Sequence, residues 1–248
     1  MSAPATLPRM IGAQAGMELR LTARRGENLF VTLVLPAALL VFFSAVPVLQ
    51  TGSGQPVDFL LPGTLGLAII ATSFVNLGIS TAFERSYGVL KRLGGSPLPR
   101  GGLLASKIAA VAVVEAVGIV ILVVVAVAIG WRPGPAIAPL ILAAAIVLGT
   151  AAFGSLGLLL AGALRAEATL ALANALFVLF LLVGGVILPL DRLPAPLAAV
   201  AEALPAAALT DALRVGFGSG GDALLPLGIL GAWAVGAGLL TARTFRWE

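Results

Sequence analysis

The sequence predicts an all-α membrane protein: six transmembrane helices with both ends in the cytoplasm, an interfacial helix ahead of the first span, and a re-entrant helical hairpin on the outer face. Three observations carry this. Of 248 residues 60% are hydrophobic and 10% charged, with a mean hydropathy of +1.10, whereas a soluble domain is about half apolar and about a quarter charged. Six runs reach the ~20 apolar residues a helix needs to cross the bilayer core. Most of the 15 Lys and Arg residues fall in alternate loops, the pattern that sets orientation.

The runs are 29–49, 59–83, 108–129, 139–164, 168–188 and 224–241. The first two carry no charge and are separated by the polar loop Gln50 to Asp58, whose Gly-Ser-Gly suits a turn. The third is interrupted only by Glu115. Trp131-Arg132-Pro133-Gly134-Pro135 then stops the helix and turns the chain into the fourth run. Arg165-Ala166-Glu167 separates the fourth from the fifth, and a tail ending Arg246-Trp247-Glu248 follows the sixth. Arg9, Arg20, Arg24, Arg25, Arg85, Lys91, Arg92, Arg100, Lys107, Arg165, Arg243 and Arg246 lie on one side, against Arg132, Arg192 and Arg214 on the other. Basic residues resist translocation, so the first side is cytoplasmic.

The chain contains neither cysteine nor histidine, which removes disulfide and thiol chemistry, the commonest metal ligand and the usual general base. The net charge of +4 reads as lipid topology and not as nucleic-acid binding. Gly154-Ser155-Leu156-Gly157 has a serine between glycines, but without histidine it is packing, not a nucleophile. The run from Leu29 has full span length and no small-residue cleavage pattern after it, so it is expected to be an anchor and not a cleavable signal. Residues 1–28 are expected to form a leader, with an interfacial helix from about Pro8 to Asn28 that places Met10, Ala13, Met17 and Leu21 near one face and Glu18, Arg20 and Arg25 away from it, or else a disordered basic stretch.

Three segments read as more than anchors. Glu84 to Arg100 is long, charged and ended by Gly94-Gly95 and Pro97; a short helix there offers Val89, Leu90 and Leu93 among basic residues to a cytosolic partner, or else is a solvated loop that only sets topology. On the outer side, Pro189 to Arg214 fits two short helices with Pro194 and Pro205 in their first turns. Helices of ~10 residues cannot span, so they cap a cavity or lie at the interface. Glu115 is the one ionisable residue inside the runs and lies roughly 10 Å deep. It reads as a substrate ligand, a protonatable site or an interhelical contact. Asn76 and Asn174 are weaker candidates of the same kind. Gly228, Ala232 and Gly236, and Thr150 with Gly154, are spaced for close helix approach.

In order, the basic interfacial segment, the six runs, Glu84-Arg85 through Gly88-Val89-Leu90-Lys91-Arg92-Leu93 with Ser96-Pro97, the outer Leu-Pro pattern ending Ala212-Leu213-Arg214 and the closing Phe245-Arg246-Trp247-Glu248 resemble the ABC-2 type permeases, membrane subunits of ABC exporters such as those for daunorubicin-type drugs and polysaccharides. The resemblance spans essentially the whole chain, with residues 29–248 as the transmembrane domain. It implies a permease in a bacterial cytoplasmic membrane that homodimerises and docks a separate ATP-binding subunit, which holds ATP and Mg. No cofactor is expected in this chain, and its lack of a Gly-x-x-x-x-Gly-Lys-Ser/Thr loop agrees. By the same likeness residues 84–100, with Glu84, Arg85, Tyr87, Val89, Leu90, Lys91, Arg92 and Leu93, would couple to the ATPase. The N-terminal helix would be the connecting helix. Residues 189–214, with Pro189, Leu193, Pro194, Pro205, Asp211 and Arg214, would be the outer re-entrant gate, while Glu115, Asn76 and Asn174 are candidates for the substrate path. The alternatives are a proton-coupled transporter using Glu115, for which no inverted repeat is evident, and a membrane scaffold or intramembrane enzyme.

Overall fold

The computed structural model describes residues 6–24, 26–46, 55–95 and 97–245, and all side chains among these except those of 26–31, 94 and 100. Arg25, the turn residues 50–54, Ser96 and the closing Arg246-Trp247-Glu248 lie outside the described residues. Every regular element among the described residues is helical.

The centre of the bundle is one rod from Pro56 to Ser86. It consists of α3 (Pro56–Ile69), a π-helical stretch (Ile70–Asn76) and α4 (Leu77–Ser86). Its most apolar part is 89% buried, against 22–33% for the other four helices long and apolar enough to cross a bilayer. Thr72 and Ser73 donate their hydroxyls to Ala68 O (2.8 Å) and Ile69 O (2.6 Å), satisfying carbonyls where the helix widens.

Around the rod stand α6 (Arg100–Ala128), α7 (Pro139–Ala163), α8 (Ala166–Val183) and α11 (Leu224–Thr244). The remaining expected span is α2 (Gly26–Ala45), in which Thr32–Ala45 is an apolar helix of described side chains. Phe74, Phe153 and Phe180 meet edge to face, with ring centroids 5.5–6.3 Å apart, and knit the rod to α7 and α8. Where α7 crosses the rod, the backbones touch. A Cβ on Gly157 would sit 2.6 Å from Phe74 O, and one on Gly78 3.0 Å from Gly157 O.

Two boundaries differ from those expected. The third span begins at Arg100 instead of 108, because Pro99 supplies an extended cap and Gly101-Gly102 continue as helix. The fifth ends at Val183 instead of 188. Gly185 there adopts φ +69°, which ends the helix. The freed carbonyls are not left bare, since Thr210 donates to Gly184 O at 2.6 Å and Arg214 to Gly185 O.

Beyond α8 come α9 (Ala195–Glu202) and α10 (Pro205–Gly216), bent by 78° to each other. Pro205 opens α10 as expected, whereas Pro194 caps α9 from outside, with Pro196 inside the first turn. The pair forms a hairpin. It leaves from the end of α8, and Ala138 N, just before α7, donates to Gly216 O at 2.8 Å, so it returns to the same end of the bundle. Its tip reaches inward, where Trp233 Nε1 donates to Ala203 O at 3.0 Å. Trp233 lies about 14 Å along α11 from Leu224 by helical rise.

The N-terminal helix α1 (Leu7–Arg24) packs along α6. The face it turns to the bundle is not the expected apolar one, although Arg20 stays exposed as expected. Met17 and Leu21 point away from the chain, while Met10, Gln14, Glu18 and Thr22 turn towards it. The cause is Lys107, a buried cation on α6 that pairs with Glu18.

Candidate functional site

Lys107 was expected to be a loop charge, but the early start of α6 puts it inside the helix, only 3% exposed. Its ammonium donates to Glu18 Oε1 at 3.0 Å and to Glu84 Oε2 at 2.6 Å. One cation thus joins α1, the end of the rod and α6. Gln14 Nε2 also donates to Glu18 Oε1 at 3.1 Å. A charge taken out of water is tolerated only when paired in this way, which is why Glu18 faces inward against the amphipathic expectation. The unbroken helical run from Pro99 was the signal that could have placed Lys107 inside.

The segment 84–95 divides into inward and outward residues. Arg85 donates to Gly162 O at 2.6 Å and to Leu164 O, capping the end of α7. Beyond Ser86, Gly88 at φ +68° turns the chain into α5 (Val89–Gly94). Leu90 is 1% exposed, so the expectation of Leu90 as an apolar knob for a partner is corrected: it anchors α5 to the bundle. Lys91 and Arg92 are exposed, Val89 and Leu93 half-buried, and Tyr87 is 69% exposed. The outward surface is therefore basic and aromatic, with Tyr87 packed on Phe83 (centroids 5.9 Å apart).

Tyr87 also stands at one end of a cavity of about 540 Å³ walled by α2, the rod and α8. Most of its wall is apolar (Leu35, Pro36, Val75, Ile79, Phe177), with Thr32, Asn76, Ser80 and Asn174 as polar groups. Its size and sparse polarity suit a hydrophobic or amphipathic molecule. The structure thus brings Asn76 and Asn174 together. Asn174 Nδ2 donates to Leu170 O at 2.9 Å, leaving its carbonyl oxygen to act as an acceptor. Asn76 and Ser80 also line a second pocket, about 30 Å³, beside Glu18 and Lys107. It is large enough for a water, and Asn76 and Ser80, which line both spaces, stand between the ion cluster and the cavity.

Glu115 is not part of this cavity. Its side chain is 5% exposed between α6 and α7, where Thr150 Oγ1 lies 2.7 Å from Oε2 and 2.8 Å from Ile146 O. Thr150, read from the sequence only as a small packing residue, is its partner. Of the small-residue stripes, Gly154 on α7 faces the rod at Leu77, but Gly228 and Gly236 on α11 face open space and bring no helix of this chain close.

At the other end of the bundle, Arg214 lies 4.0 Å over the Phe59 ring and pairs with Asp211 at 3.1 Å, besides its bond to Gly185 O. Pro205 is buried, whereas Pro189, Leu193 and Pro194 form the more open approach to α9. Arg214 therefore clips α10 to the irregular stretch after α8 and to α3.

Residues 15–217 match the family described as ABC-2 type transporter. The chain belongs to this ABC-2 transporter family. No curated protein matches it significantly. The match runs from the middle of α1 through α10, so the second half of α1, segment 84–95, the cavity and the α9–α10 pair fall inside an ABC-2 membrane domain, and the chain is a multi-pass membrane protein of that kind.

Proposed function

We propose that this chain is the permease subunit of an ATP-driven exporter in a bacterial cytoplasmic membrane. Two copies, each with a separate ATP-binding subunit carrying ATP and Mg, form the path for a hydrophobic or amphipathic substrate such as a drug, lipid or glycolipid. Both chain ends lie in the cytoplasm, as the basic residues of that side require. The observation that carries the reading is the position of Tyr87, which belongs both to the exposed basic surface of segment 84–95 and to the cavity wall. An ATPase seated on Tyr87, Lys91 and Arg92 therefore pushes directly on the end of the rod. Ion pairs of Lys107 carry that push to α1 and α6, and Asn76 and Ser80 carry it to the cavity. The second copy faces the cavity from the side walled by α2 and α8, and the α9–α10 pair closes its outer end.

Glu115 lies away from the cavity with Thr150 as its partner, which suits a clamp between α6 and α7 better than a proton carrier. The test is ATP hydrolysis and substrate movement in proteoliposomes holding the permease with its ATP-binding subunit, with daunorubicin and a fluorescent short-chain phospholipid as probes. Asn174→Trp narrows the cavity from an exposed position on α8. Probe-stimulated hydrolysis should fall at least tenfold with the complex still assembled; unchanged stimulation would refute the cavity as the path.

A further inference from the structure

On the face of the bundle opposite the cavity, α7 and α11 enclose an entirely apolar groove of about 310 Å³, walled by Leu156, Leu159, Trp233, Gly236 and Leu240. The two helices are held together beside it, not across it: Thr241 Oγ1 donates to Ser155 O at 2.9 Å, and Gly238 faces Ser155. A Cβ on Gly236 would meet nothing within 4 Å, so the groove floor is open to whatever lies outside the chain. Trp233 turns its indole N–H inward to Ala203 O and offers only ring carbon to the groove.

The depth of the groove identifies its occupant. Trp233 stands near mid-bilayer, and Leu240 lies seven residues, roughly 10 Å, nearer the basic side. Arg243 follows on the same face, roughly 15 Å from Trp233, which is half of a ~30 Å hydrocarbon core and hence the headgroup level. Arg243 is exposed, and so is Arg165 at the start of α8. The two flank one corner, because Phe245, two residues past Arg243, seats on Gly162 with its Cα 3.0 Å from where a Cβ would stand. We infer that this groove binds one anionic glycerophospholipid of the cytoplasmic leaflet, an acyl chain lying on Gly236 between Trp233 and Leu240 and the phosphate held by Arg243 and Arg165. An apolar slot one leaflet deep that ends in two arginines complements a chain and an anionic headgroup together. A protein helix would fill the slot but leave that corner without its anion.

The test uses Trp233 as the reporter in an otherwise full-length chain with Trp131→Phe and Trp247→Phe, reconstituted in phosphatidylcholine vesicles. Phosphatidylglycerol with brominated acyl chains is compared with equally brominated phosphatidylcholine as contact quencher. The expected result is preferential quenching by the anionic lipid, weakened about fivefold for each arginine in Arg243→Gln and Arg165→Gln, and loss of the anionic lipid's excess quenching in Gly236→Leu, with Ala232→Leu as a second way to fill the groove. Equal quenching by the two lipids means bulk lipid only and overturns the proposal. So does quenching by neither, which means a protein segment covers the groove, and so does an anionic preference that survives both groove-filling substitutions.

Discussion

Replacing Lys107 with methionine keeps the length of the side chain and removes the cation that joins α1, the rod and α6. Glu18 and Glu84 reach the same ammonium at 3.0 and 2.6 Å, so without it two carboxylates face each other no more than about 6 Å apart. At an effective dielectric of about 20 their repulsion is about 3 kcal/mol, the lower end of what removing one partner of a buried pair costs. Because α1 is held to the bundle largely along α6, the cost falls on its docking and makes the undocked state roughly a hundredfold more populated. The chain has no cysteine of its own, so a single Ala15→Cys on the half-buried side of α1 reports docking through its rate of maleimide labelling. Labelling should rise at least tenfold with Lys107→Met and return towards the parent rate when Glu18→Gln and Glu84→Gln are added. Equal labelling with and without Lys107 would refute the idea that this cation holds α1 in place.

Four further outcomes follow from named contacts. Leu90→Asp puts a charge at a site 1% exposed and should lower the detergent melting temperature sharply, whereas Lys91→Glu with Arg92→Glu should leave it unchanged. Gly157→Val forces a side chain against Phe74 O and should cost about 1–3 kcal/mol of bundle stability, seen as a lower melting temperature; Gly236→Val should cost little. Arg214→Gln loses the contacts to Asp211, Gly185 O and Phe59 and should make residues 184–204 open to protease in outward-facing vesicles. Glu115→Gln keeps a partner for Thr150, so transport should stay within about twofold of the parent at every pH; loss of transport with a changed pH profile would favour the proton-coupled alternative.

The spans could be read to within a few residues because a bilayer demands little more than apolar length, and length is visible residue by residue. The two boundaries that moved both turned on glycine. Gly101-Gly102 continued a helix that Pro99 had started, while Gly184-Gly185 ended one that hydropathy alone would have extended. The two short outer helices were legible from their prolines and from lengths too short to cross, whereas their re-entry rested on the family resemblance. What could not be read was which face of an all-round apolar helix meets which neighbour, since such helices carry almost no amphipathic period. Lys107 therefore looked like a topology charge and Arg85 like a coupling residue, although one is buried among carboxylates and the other caps α7. Leu90 looked like an exposed knob because Lys91 and Arg92 beside it mark a solvated segment, yet it is 1% exposed. Asn76 and Asn174 could be flagged for polarity but not as neighbours, because their meeting depends on how α8 leans on the rod.

The most direct measurement is co-purification of the permease with its ATP-binding partner, followed by ATP hydrolysis in proteoliposomes, for the parent and for Tyr87→Ala with Lys91→Glu and Arg92→Glu. The account predicts a stable complex for the parent, and for the triple variant a folded permease with normal labelling at Ala15→Cys that no longer holds the ATPase or stimulates it. An ATPase that binds the triple variant as tightly as the parent, or a parent permease that binds none, would contradict it.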